Sequence, residues 1–263
     1  MDRRLRILGA LIAIIGVVAI AGGAYGYTRV QGGANALQGF SAAQNVTISY
    51  NDDGQLVDRG TTEGAAAILS LLRDDWKWPV NQADLNRNDP LVNTGTEYMY
   101  QMATIAYHTL NSSVPVTLTE RTEWNGDGDA ANAAVAPVFT AAALPEGIWD
   151  PEVQGYGDAV FEAGTYIVPI NARYWTAFNR SHPLDGKARE LAWTGTVHGL
   201  FAELGVGATT ASSLEMAGAL SLMLAGFGLV FIIAGLGMVW VAWPQTAKVT
   251  QRIGAPEPTP AAG

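Results

Sequence analysis

Residues 216–243 read MAGALSLMLAGFGLVFIIAGLGMVWVAW, 28 positions without one charge. As an α-helix the run is about 42 Å long, well beyond the ~30 Å hydrocarbon core of a bilayer. A buried helix of a soluble protein seldom goes so far without a charge. The stretch therefore reads as a transmembrane helix that tilts or protrudes. Toward the other terminus, residues 7–27 (ILGALIAIIGVVAIAGGAYGY) form a second uncharged run of 21 residues. That run covers about 31 Å as a helix. Between the two lies a segment of ordinary polarity. The chain accordingly reads as an α+β extracytoplasmic domain between two transmembrane α-helices. The expected divisions are 1–6, 7–28 (first span), 29–213 (domain), 214–243 (second span) and 244–263, a Pro- and Ala-rich tail with the composition of disorder.

Flanking charges orient this layout. Arg3, Arg4 and Arg6 precede the first run, and Lys248 and Arg252 follow the second. The positive-inside tendency puts both termini in the cytoplasm and residues 29–213 outside, in a two-pass protein of the cytoplasmic membrane. The outer segment carries 10 basic and 21 acidic residues, a net charge of −11. Tyr25 and Tyr27 at one boundary, and Trp240 and Trp243 at the other, suit the aromatic belts of a bilayer. A rival reading takes residues 1–24 as a cleavable signal, with small residues at Ala19 and Ala21. The apolar core is long for a signal, whose apolar region is about 7–15 residues, so an uncleaved anchor is expected.

Neither run holds an Asp, Glu, Lys, Arg or His, the residues on which ion pathways and proton relays depend. The two spans read as anchors and packing surfaces. Gly22 and Gly26 form a G-x-x-x-G, and Ala217, Ser221 and Ala225 form a row of small residues. Both are patterns that let helix backbones approach closely.

Composition excludes several functions. The 263 residues include no cysteine, which removes disulfides, thiolate metal sites and thiol catalysis. A net charge of −9 argues against nucleic acid as a partner. The expected partners are membrane lipid and other membrane proteins, or further copies of the chain.

The outer segment alternates strand and helix signals. Residues 30–44 are Gly/Ala-rich and read as a connector. Val46, Ile48 and Tyr50 alternate, and 51–54 (NDDG) supplies a turn, so a hairpin returning through 55–58 is expected. Ala65, Ile68, Leu69 and Leu72 have helical spacing toward a stop near Asp75. Thr94 and Glu97 form a capping box ahead of a helix over 95–110. Val114, Val116 and Leu118 alternate toward Trp124. Thr165 to Ile170 reads as a strand that Pro169 confines to an edge. Asp185 is placed to cap a last helix with Trp193, Val197, Leu200, Phe201 and Leu204 on one face. Gly205 is its expected stop, and Gly195 and Gly199 mark either weakness or close packing.

Signals for chemistry are sparse. His108, His182 and His198 show no metal-ligand spacing. Asn125, Asp127 and Asp129 suggest a calcium turn, but Ala130 and Ala136 stand where a full loop needs Gly and a carboxylate. Ser181, His182 and Asp185 name the residue types of a hydrolase triad, yet neighbours this close need partners from elsewhere to reach its geometry. No catalytic residue, metal ligand or cofactor site is expected. The sequons at Asn45, Asn111 and Asn179 read as idle in a chain of bacterial composition. Aromatics say more. Trp76 and Trp78 flank Lys77, and Tyr98, Tyr100 and Tyr107 share a helix, with Tyr156, Tyr166, Tyr174 and Trp175 further on. Such rings dominate protein interfaces, and Trp76, Trp78 and Tyr98 are the expected partner-binding residues.

With its Arg-rich start (MDRRLR), acidic Cys-free outer segment, second span and Pro/Ala tail, the layout resembles uncharacterised two-span membrane proteins of actinobacteria. That resemblance implies an accessory subunit of a larger envelope or respiratory membrane complex, acting without catalysis. The alternatives are a ligand-binding or sensory ectodomain and an envelope hydrolase.

Overall fold

The first helix, α1 (Asp2–Gln44), and the last, α6 (Gly195–Val241), dominate the computed structural model, which describes residues 2–124, 148–157 and 159–243. Met1–Ala36 and Ser213–Gly263 form one unit, and Leu37–Ser212 forms the other. The expected calcium turn at 125–129 and the tail 244–263 lie outside the described residues.

In the first unit the two helices pack antiparallel along a line of small residues. Gly9, Gly16 and Gly23, seven apart, are the buried positions on that part of α1. A Cβ on Gly9 would sit 2.5 Å from the Gly235 carbonyl oxygen, and one on Gly16 2.5 Å from that of Gly228. A Cβ on Gly23 would sit 2.6 Å from the Ser221 carbonyl oxygen and 2.8 Å from the Ala225 nitrogen. The backbones themselves are therefore in contact. A seven-residue repeat matches the seam of a left-handed helix pair, in which one stripe of each helix stays turned to the other. Gly26 lies against the Ser221 hydroxyl, whereas Gly22 is exposed and meets only Leu224 at 3.7 Å. Ala217 is half-buried, and its carbonyl accepts the Ser221 hydroxyl at 2.8 Å. The seam runs through Gly23 rather than along the G-x-x-x-G pair.

Among the described residues, the faces of the pair away from this seam are largely apolar and exposed. Ile14, Val18, Ile233 and Trp240 are 59%, 66%, 64% and 77% exposed. Only 17% of the most apolar stretch of α1 is buried, and 11% of that of α6. Both helices are long and apolar enough to cross a membrane. A core helix of a soluble protein would show the reverse, mostly buried.

The connector expected over 30–44 is instead the last part of α1. It contains no proline, and Leu37 and Ser41 give it a face to bury. The Ser41 hydroxyl bonds the Tyr98 hydroxyl at 2.7 Å. The helix ends at Asn45, whose φ of 52° is left-handed, a conformation that Asn tolerates better than most residues.

The second unit is α+β with little sheet. The expected N-terminal hairpin exists as single bridges, Tyr50 with Leu56 and Thr47 with Leu91, not as a ladder. Helix α2 (Thr62–Ser70) continues into a wider π-turn at Leu71–Asp75 and stops at the expected residue. Helix α3 (Gly95–Leu110) begins with the capping box: Glu97 N–H donates to Thr94 Oγ1 at 3.2 Å, and Thr94 N–H to Glu97 Oε2 at 2.9 Å. It buries Met99, Ala103, Ala106 and Leu110. Strand β1 (Ser113–Leu118), strand β2 (Thr122–Trp124), the single turn α4 (Pro151–Gln154), strand β3 (Ala159–Phe161) and strand β4 (Gly164–Pro169) follow. β1 pairs antiparallel with β4, Val116 opposite Tyr166, and β2 pairs with β3. Among the described residues each sheet has two strands, with one further bridge from Ile148 to Ile167 of β4, and Pro115 and Pro169 are tolerated in ladders this small.

The last expected helix is two. α5 (Asp185–Ala192) ends at Trp193, and α6 restarts behind Thr194, whose hydroxyl accepts from Val197 N–H at 3.2 Å. Trp193 breaks the run because its indole is 3% exposed and donates to the Arg173 carbonyl at 3.1 Å. Gly205 does not stop the helix, and Gly195 and Gly199 have open space around them, so neither marks close packing. The close approach is at Gly207, where a Cβ would sit 2.6 Å from the Tyr98 ring.

Candidate functional site

The strongest polar constellation forms around Asp185, and it comes from separate parts of the chain. Asp185 is fully buried at the first position of α5. Its carboxylate does not cap the helix as expected. It accepts from Arg173 Nη1 at 2.6 Å, the Tyr156 hydroxyl at 2.9 Å and the Asn179 backbone N–H at 2.6 Å. Arg173 arrives from the loop after β4, with its side chain 11% exposed. Its remaining donors reach the Ile170 and Pro169 carbonyls, and its guanidinium lies 4.2 Å above the Phe178 ring. Burial, with the Asp185 charge beside it, pushes the Tyr156 phenol up. Each carboxylate oxygen and each Arg173 nitrogen is occupied by the chain itself. An ion pair saturated in this way holds three loops together.

His182 sits beside this pair, 2% exposed, in a cage of rings. Trp149 stacks on it at 4.2 Å, and Trp124, Phe161 and Tyr156 stand edge-on at 5.3, 5.3 and 5.6 Å. Nδ1 accepts the backbone N–H groups of Leu184 and Asp185, both at 3.3 Å, so the imidazole, rather than Asp185, caps α5. This network assigns the proton to Nε2, which has no hydrogen-bond partner among the described residues. Burial first, then the Arg173 charge, lower the His182 pKa to about 4, so the ring is neutral at pH 7. The triad residue types at 181, 182 and 185 do not assemble. Asp185 is engaged by Arg173 and Tyr156, and Ser181 is exposed while His182 is buried. Asn179, the third sequon, is 3% exposed, with its side-chain oxygen accepting from Ser181 N–H. A glycan has no access there.

Elsewhere His108 pairs with Asp58 at 3.0 Å and ties the turn before α2 to the end of α3. Among the described residues no group of three or more His, Asp or Glu is placed to hold a metal ion. Glu97 is 1% exposed, and burial outweighs its backbone donors to push its carboxyl up.

The expected partner-binding aromatics separate. Tyr98 is 2% exposed, bonded to Ser41, and is a core residue rather than a docking one. Trp76 and Trp78 are both half-buried against the core. The reason is Lys77, whose φ of 55° folds the chain into a helix C-cap in which Trp78 N–H reaches the Leu72 carbonyl at 3.0 Å. Trp76 donates its indole N–H to the Tyr174 hydroxyl at 2.9 Å. Tyr174, 39% exposed, stacks on Trp193, and Trp175 meets the exposed His198 edge-on at 4.9 Å. Arg189 lies 4.0 Å above the Trp175 ring. Trp76 thus belongs to a larger surface group built mainly from residues 174–198. Nothing in its own helix marks the cationic member, Arg189, as part of this group.

Comparison with protein-family models, curated proteins and solved structures gives no match.

Proposed function

We propose that the chain is a two-span protein of the cytoplasmic membrane whose outer unit works by docking rather than by catalysis. Its role would be that of an accessory subunit in a larger envelope or respiratory membrane assembly. The observation that carries the membrane part is the register of the two long helices. Gly9 meets Gly235, Gly23 meets Ser221 and Gly33 meets Leu214. In that register Arg29 and Glu215 fall at one level, and Arg6 lies near the level of Met238. The charge-free windows of both helices therefore coincide, over about 34 Å of helix on α1, close to one bilayer core. With the arginines at positions 3, 4 and 6 on the cytoplasmic side, residues 29–213 lie outside. The non-catalytic part is supported by the closed network at Asp185. The best-built polar group in the unit has no valence left for a substrate.

The test uses native membranes. The protein should stay in the pellet through alkaline carbonate and come out with detergent. Protease added outside intact cells should cut within 30–212, and a cysteine-free chain tagged at either end should keep its tags. After gentle solubilisation and crosslinking, it should migrate with a second membrane protein or with itself. Recovery in a detergent-free soluble extract would overturn the membrane reading, and an uncrosslinked monomer the docking reading.

A further inference from the structure

The acidic outer segment has one region of opposite charge. Residues 173–198 hold four of its ten basic residues and only two of its 21 acidic ones. Arg173 and Asp185 neutralise each other in the core. Arg180, Lys187 and Arg189 are left against Glu190 alone, and Arg180 and Lys187 are exposed.

Arg189 is the unusual member of this group. Its side chain is only 12% exposed, and its guanidinium carbon lies 4.0 Å from the centroid of the Trp175 ring. Its Nε is buried without a hydrogen-bond partner. Among the described residues its one polar side-chain contact is to Glu190, its chain neighbour, at 3.5 Å, and that carboxylate is 67% exposed. A stacked guanidinium whose terminal nitrogens have only that long contact among the described residues is preorganised for a planar anion, since much of the entropy of ordering it has already been spent in folding. His198, edge-on to the same Trp175, is exposed and makes no side-chain hydrogen bond among the described residues.

We propose that Arg189, stacked on Trp175 and flanked by His198, is the docking point for a carboxylate-bearing segment of a protein partner. The inference rests on the docking function above and names its site and the partner's chemistry. Charge complementarity selects an acidic partner: a basic island in a molecule that elsewhere repels anions gives both attraction and register. A protein segment is favoured over an acidic glycan because a sugar needs an open ring face. Arg189 covers one face of Trp175, and the half-buried ring also packs against the core and His198. Leu191 and Leu200, 49% and 38% exposed on the same two helices, suit apolar side chains of a polypeptide.

The experiment uses the full chain in nanodiscs of zwitterionic lipid and a fluorescent hexaglutamate peptide read by anisotropy at low salt. Polygalacturonate serves as the glycan competitor. The expected result is saturable peptide binding that Arg189→Ala and Arg189→Lys each weaken about tenfold or more. Lysine keeps the charge but loses the stacked fork. His198→Ala, at an exposed position where folding is not at stake, should weaken binding about threefold. Arg59→Ala, an exposed cation elsewhere, should leave it unchanged. Near-UV circular dichroism checks the fold of each variant. Lack of saturable peptide binding overturns the proposal. So does wild-type affinity in Arg189→Lys, wild-type affinity in His198→Ala, or Arg189-dependent binding of polygalacturonate in place of the peptide. Those outcomes leave the docking function standing if native crosslinking still finds a partner, because that contact would then lie on another face.

Discussion

In the helical hairpin, Gly16 meets the Gly228 carbonyl with no side chain between them; in the α+β unit, Phe178, Ile170 and Leu184 fill the interior and Asp185 joins three separate loops. On the membrane reading proposed above, the contrast follows from the two solvents. Apolar side chains would gain nothing by leaving lipid for a helix interface, so such a hairpin relies on close backbone contact and dispersion. In water, apolar burial stabilises at about 25 cal/mol per Å², and the unit spends its large residues on a core. A buried ion pair is then tolerable because every one of its valences is filled.

The largest effect expected from breaking this comparison is at Asp185. Asp185→Ala strands the Arg173 guanidinium and the Tyr156 hydroxyl in the core and should destabilise the unit by about 3–5 kcal/mol. Chemical denaturation followed by tryptophan fluorescence reads this directly, and a change below 1 kcal/mol would refute the structural role given to the pair.

The next effect is the acid response of His182. Its pKa falls from the ordinary 6.5 to about 4 on folding, so between these values the unfolded chain binds the extra proton. Stability is therefore full above pH 6.5 and declines as pH falls toward 4, by up to about 3 kcal/mol for this one group. His182→Asn keeps an acceptor for the α5 amides and removes the titration. A stability–pH slope over that window identical in both proteins would sink the assignment.

The hairpin prediction is of middle size. Gly16→Leu pushes the helices apart at their closest point, an overpacking penalty of about 1–3 kcal/mol. Spin labels at the exposed positions 14 and 233 should show a longer, broader distance. Gly22→Leu, on the uncovered side, should leave the distance as it was. If the two variants behave alike, the seam has been misplaced. The smallest effect is a gain: Lys77→Gly relieves a left-handed φ at a helix C-cap and should stabilise by about 0.5–1 kcal/mol, seen as a rise in Tm.

Much of the architecture was legible. The two apolar runs, the capping box at Thr94 and Glu97, helix 95–110, the stop at Asp75 and the strands around Val116 and Val168 all follow from local periodicity and turn chemistry. The misses share one cause. Residues 30–44 look like a linker by composition, but Leu37, Ser41 and Tyr98 give them a helical face to bury. Trp193 splits a helix to satisfy its indole against Arg173. Lys77 adopts a conformation its neighbours in sequence do not announce. Of the candidate docking residues, Tyr98 carried no local mark of burial, and Arg189 no mark of its partner Trp175.

The amino-acid order alone determined which stretches are too apolar for water, which are acidic, and that no thiol chemistry is present, because solvation and valence belong to single residues and short runs. Only the tertiary structure decided that Gly23 rather than Gly22 lies in the helix seam, that Asp185 is paired with Arg173 rather than His182, and that Arg189 rests on Trp175. Those are relations between residues distant along the chain or on neighbouring faces of one helix, and packing in three dimensions is what chooses among them.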